Sequence, residues 1–110
     1  MALAARLDAD ATADGVALRF TVRNEGDEPV ELSFGDAQRA EFVARDGDET
    51  VWRYGEGRAF AQVLGTETIA PDGTLTVECD WPAPSPGTYE IEAALTAADA
   101  DCAAETRASV

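Results

Sequence analysis

Alternation of apolar and polar residues holds this chain to β-structure. Val16, Leu18, Phe20 and Val22 alternate with Ala17, Arg19, Thr21 and Arg23, and Val30, Leu32 and Phe34 with Glu31 and Ser33. Leu75, Val77, Cys79 and Trp81 alternate with Thr76, Glu78 and Asp80, and Tyr89, Ile91, Ala93 and Leu95 with Glu90, Glu92 and Ala94. A repeat of two places one set on a buried face and the other toward water. Leu3, Ala5 and Leu7 make a weaker first strand. Glycines recur mostly 8 to 14 residues apart and supply turns at the spacing of an all-β sandwich or barrel.

The connections carry matching chemistry. Asn24 to Pro29 is a turn cluster that ends at a residue unable to donate to a ladder. Asp46-Gly47-Asp48 reads as a hairpin between Glu41–Arg45 and Thr50–Tyr54, and Pro71-Asp72-Gly73 as a tight turn. Pro86-Gly87-Thr88-Tyr89 puts a tyrosine at the mouth of a late strand, like the tyrosine corner of immunoglobulin-like sandwiches. The expected fold is one antiparallel immunoglobulin-like β-sandwich of about seven to nine strands, occupying residues 1–110 as a single domain. The alanine-rich tail from Thr96 to Arg107 also suits a short helix; a last strand near Cys102–Ala108 is the preferred expectation.

Charge narrows the function. Twenty-two acidic residues against eight basic ones give a net charge of −14. That balance disfavours nucleic acid, whose phosphates must be met by Lys or Arg, and anionic membrane surfaces equally. All eight basic residues are arginines. Such a surface repels itself at ordinary ionic strength, whereas in molar salt the Debye length falls to about 3 Å. The composition therefore resembles that of a salt-adapted, halophilic cytoplasm; an acidic surface built for a basic partner is the rival reading. The first 20 residues hold no apolar signal core, and the longest uncharged run, Trp81 to Tyr89, is far below the roughly 20 residues of a membrane span. A cytoplasmic protein with reduced thiols at Cys79 and Cys102 is expected.

Catalytic chemistry finds little support. Histidine is absent, which removes the usual general base and the commonest metal ligand. Ser33, Ser85 and Ser109 have no His or Lys to activate them. Asp8, Asp10 and Asp14 faintly resemble a calcium loop, but the flanks are strands and the twelfth position is Arg19 rather than glutamate. No enzyme, no metal and no cofactor is expected.

The stretch Val51 to Leu64 is distinctive, with Trp52, Tyr54, Phe60 and two arginines around a Gly-x-Gly loop. Trp, Tyr and Arg dominate protein–protein hot spots, so Arg53, Tyr54, Glu56 and Arg58 are candidate partner contacts. The alternative is a strand, a flexible turn and a second strand, with Trp52 and Phe60 in the core.

An ordered set of motifs resembles the intracellular proteinase inhibitors typified by the Bacillus inhibitor BsuPI. Phe20-Thr21-Val22-Arg23-Asn24 is followed by Pro29-Val30-Glu31-Leu32-Ser33-Phe34 and Glu41-Phe42-Val43-Ala44-Arg45-Asp46. Val51-Trp52-Arg53-Tyr54, Phe60-Ala61-Gln62, Thr68 to Gly73, Trp81 and Pro86-Gly87-Thr88-Tyr89 complete it, within residues 20–95. The resemblance implies a cytoplasmic immunoglobulin-like sandwich that inhibits an intracellular subtilisin-like serine protease, so its partner is a protein. It assigns no reactive site. Two connections are candidates: Tyr54 to Arg58, and the stiff segment containing Pro82, Pro84 and Pro86. A non-inhibitory interaction module on the same fold is the alternative function.

Overall fold

A computed structural model describes residues 3–82 and 84–110. Nine strands follow one another: β1 (Leu3–Thr12), β2 (Gly15–Asn24), β3 (Val30–Phe34), β4 (Ala40–Asp46), β5 (Glu49–Arg53), β6 (Gly65–Ile69), β7 (Thr74–Pro82), β8 (Thr88–Leu95) and β9 (Ala103–Ser109). All ladders are antiparallel, with orders β1-β2-β7, β5-β4-β8-β9 and a short β3-β6 pair. This is an immunoglobulin-like β-sandwich.

Parity along each strand selects the core. Val16, Leu18, Phe20 and Val22 of β2 are buried, as are Ala40, Phe42 and Ala44 of β4 and Tyr89, Ile91, Ala93 and Leu95 of β8. Phe20 meets Phe42 edge-on across the sandwich at 6.4 Å. Trp81 of β7 stacks on Trp52 of β5 at 5.7 Å and takes the edge of Tyr89 at 4.8 Å. Aromatic pairs of this geometry add about 1 kcal/mol beyond area burial.

The expected turns form. Gly47 takes φ 60° in the β4–β5 hairpin. Gly73 N donates to Ala70 O at 2.8 Å across a turn with Asp72 at φ 62°, and Pro71 supplies its first central position. Tyr89 closes the tyrosine corner by donating its hydroxyl to Ser85 O at 2.6 Å.

Two local expectations change. The first strand is not weak: β1 runs ten residues, and Asp8 lies within it, opposite Arg19. No second strand covers Phe60 to Leu64; pairing resumes only at Gly65, opposite Phe34. The tail forms the expected last strand as β9, since its alternate residues Ala104 and Ala108 pack inward beside β8.

Asn24 ends β2 in the same inward parity as Val22 and is fully buried. Its Nδ2 donates to Glu28 O at 2.7 Å and Ile69 O at 2.9 Å, and its Oδ1 accepts from Gly26 N at 2.9 Å. Its main chain pairs with Asp72 and Gly73. One side chain thereby ties the β2–β3 turn to the end of β6.

Candidate functional site

The β5–β6 connection, residues 54–64, is built outward from the core. Tyr54 N donates to Phe42 O at 2.9 Å, and the half-buried Tyr54 ring lies edge-on to Phe42 at 5.6 Å. Phe60 packs against the other side of that ring at 6.0 Å. The Arg58 guanidinium covers the Tyr54 ring at 4.5 Å, a cation–π contact.

Two glycines do not leave this loop loose. The Glu41 carboxylate accepts from Gly55 N at 2.7 Å and from Phe42 N at 3.0 Å. A Cβ on Gly55 would lie 2.6 Å from Glu41 Oε2, so a larger residue there would make the carboxylate shift from this position. Glu56 N donates to Arg53 O at 3.2 Å and Arg58 N to Gly55 O at 3.4 Å, making consecutive turns, with Gly57 at φ 77°. Glu41 is a loop anchor that sequence reasoning passed over, since one acid among 22 carries no signal of its own.

Electrostatics single out the same place. Arg6, Arg19, Arg23, Arg39, Arg45 and Arg107 pair with Asp8, Glu78, Asp72, Glu67, Glu92 and Glu90 respectively. Among the described residues, Arg53 and Arg58 are the arginines that pair with no carboxylate. Both are exposed, as is Glu56. These two unpaired arginines of a strongly anionic chain stand five residues apart, one ending β5 and the other on the connection that follows it.

The proline segment lies elsewhere. Pro82 ends β7 opposite Gly15, and Pro84 is half-buried. Pro84 shares a surface depression with Thr12 to Gly15 and Val110. β8 starts beside the C-terminal end of β4, where Glu90 faces Arg45, whereas Tyr54 and Gly55 are bonded at the N-terminal end, at Phe42 and Glu41. Among the described residues no hydrogen bond or ion pair joins Pro82, Pro84 or Pro86 to Arg53, Tyr54, Glu56 or Arg58, although Trp81 beside Pro82 stacks on Trp52 beside Arg53 at 5.7 Å.

The remaining chemistry is inert. Burial pushes the Cys79 thiol up to about 12, with the neighbouring Asp80 charge adding to the shift. Burial also raises Cys102, so both free thiols stay protonated near neutrality. The best-defined depressions are open and charge-lined, one by Glu90, Glu105 and Arg107 and another by Arg6, Asp8, Asp10 and Glu78. Among the described residues no cluster of His, Cys, Asp or Glu could hold a metal ion. Among the described residues no helix is long and apolar enough to cross a membrane.

The family model for BsuPI, the intracellular proteinase inhibitor, matches residues 3–100. The chain belongs to that family. The match extends beyond residues 20–95, where the motifs were legible, and takes in β1 and the first part of the β8–β9 connection. Among curated proteins no significant match is found. Among solved structures, the crystal structure of Spo0M, a sporulation control protein from Bacillus subtilis, aligns with a TM-score of 0.59 at 16% identity. The alignment covers 100% of this chain and 49% of that one, so the chain spans about half of that protein's length. At such identity the likeness is one of fold alone.

Proposed function

We propose that the chain is a non-catalytic, cytoplasmic protein that inhibits an intracellular subtilisin-like serine protease, with Arg53, Tyr54, Glu56 and Arg58 at the contact. The family match over residues 3–100 carries the reading. The absence of histidine and the raised thiols support a role without catalysis. The unpaired arginines favour the β5–β6 connection over the proline segment, because a free guanidinium offers a partner's carboxylate a full set of donors. The fold also occurs in a protein titled for sporulation control, so fold by itself does not select inhibition over a non-inhibitory interaction module.

The test is a titration of an intracellular subtilisin-type protease in molar KCl. Arg53→Ala and Arg58→Ala should each weaken inhibition by about 2 kcal/mol, roughly thirtyfold, as hot-spot arginines do. Their melting temperatures should stay within the range of exposed substitutions, about 0.5 kcal/mol. Unchanged inhibition in both variants would move the contact to the segment of Pro82, Pro84 and Pro86 or elsewhere.

The charge of −14 is read as salt adaptation. Screening relieves repulsion among surface carboxylates, so the melting temperature should rise between about 0.1 M and 2 M KCl. A flat or falling curve in calorimetry would remove that reading.

A further inference from the structure

The β5–β6 connection has an apolar tip as well as a charged head. Val63 is 64% exposed and Leu64 84% exposed. Every other leucine (Leu3, Leu7, Leu18, Leu32, Leu75 and Leu95) is buried or half-buried. Isolated exposed apolar residues are ordinary on protein surfaces. This adjacent pair differs because the chain on both sides is fastened.

Upstream, Phe60 rests on Tyr54 at 6.0 Å and Ala61 O accepts from Ala37 N at 2.9 Å. Downstream, Gly65 faces Phe34 at the start of the β3–β6 ladder. Arg39 braces that ladder by lying over Phe34 at 4.4 Å and pairing with Glu67 at 2.9 Å. Only Gln62, Val63 and Leu64 span the gap. Among the described residues Asp72 is the one non-glycine with positive φ, so these three keep ordinary backbone geometry. A segment ordered before binding loses little conformational entropy on binding.

Charge selects the occupant. At ordinary ionic strength a second copy would bring another −14 to the same surface and be repelled, an effect that molar salt screens. The unpaired Arg53 and Arg58 at the head of the connection instead suit a partner with carboxylates beside an apolar cavity. Arg58 lies over the Tyr54 ring at 4.5 Å and Phe60 meets that ring at a tilt at 6.0 Å, which ties the cationic head to the apolar tip.

Resting on the inhibitor reading above, we propose that Val63 and Leu64 anchor the inhibitory contact by entering an apolar substrate pocket of the protease. Arg53 and Arg58 meet carboxylates beside that pocket. Leu64 is then the specificity-determining residue, and inhibition competes with small peptide substrates.

The experiment measures inhibition of a purified intracellular subtilisin-type serine protease by the intact chain, with a short chromogenic peptide as substrate. Wild type should inhibit competitively. Leu64→Glu should raise the inhibition constant at least about a hundredfold at an unchanged melting temperature, whereas Leu64→Met stays within about threefold. Equal inhibition by wild type and Leu64→Glu overturns the anchor and leaves the inhibitor reading standing. Inhibition that does not compete with the peptide also overturns it, by placing the contact outside the pocket. A wild-type dimer in sedimentation that Leu64→Glu abolishes assigns the tip to a second copy and overturns the proposal. No inhibition by wild type overturns the inhibitor reading and the anchor with it.

Discussion

Replacing Asn24 by leucine should destabilise the protein by about 3 kcal/mol, and the melting temperature in molar KCl should fall by about 13 °C. Leucine keeps the branched four-atom side-chain skeleton of asparagine but puts bulkier methyl groups where the oxygen and nitrogen stand, so lost hydrogen bonding is joined by some overpacking. The substitution strips the carbonyls of Glu28 and Ile69 of their donor and Gly26 N of its acceptor. Groups left unpaired inside a protein cost about 1–3 kcal/mol each where water cannot reach them. Glu28 and Gly26 lie nearer the surface and recover part of that loss. A drop below about 3 °C would mean that water replaces the side chain throughout.

Phe42→Ala should cost about 4 kcal/mol. The ring is fully buried, edge-on to Phe20 on one side and Tyr54 on the other. Its removal opens a cavity between the two large sheets that strands cannot collapse to fill without breaking ladders. For a domain whose whole stability is of order 5–15 kcal/mol, the variant is marginal. Phe42 also supports the Tyr54 ring from beneath, so inhibition should weaken even in salt concentrations that keep the variant folded. Chemical denaturation followed by circular dichroism checks the first effect and protease titration the second.

Most of the fold was legible because its information is local. The parity of Val16 to Val22, and of Tyr89 to Leu95, marks the buried faces before any partner strand is known. β6 was not legible: Gly65-Thr66-Glu67-Thr68-Ile69 contains one large apolar residue, and its place is set by pairing with β3, more than 30 residues away. Asn24 carried a signal that went unread. Its even number continues the inward set of β2, but a polar residue before Glu-Gly-Asp reads as a solvated turn. Only the convergence of Glu28, Ile69 and Gly26 on its amide makes burial tolerable.

The candidate site divides in the same way. Its aromatics and arginines stand out in sequence. Which arginines lack a carboxylate depends on cross-strand partners such as Glu78 for Arg19 and Glu92 for Arg45, and no local pattern supplies those. The exposure of Leu64 is equally non-local. A Val-Leu pair before glycine looks like strand interior until the ladder is seen to begin one residue later.

The chain's two tryptophans, Trp52 and Trp81, face each other from opposite sheets with planes 20° apart. Parallel indoles at this spacing couple electronically, so the sandwich carries an optical gauge of its own thickness. Any event that slides or parts the sheets changes that coupling before secondary structure is lost. Trp52 adjoins Arg53 at the head of the β5–β6 connection, so a partner seated there presses on one plate of the gauge while Tyr89 holds the other.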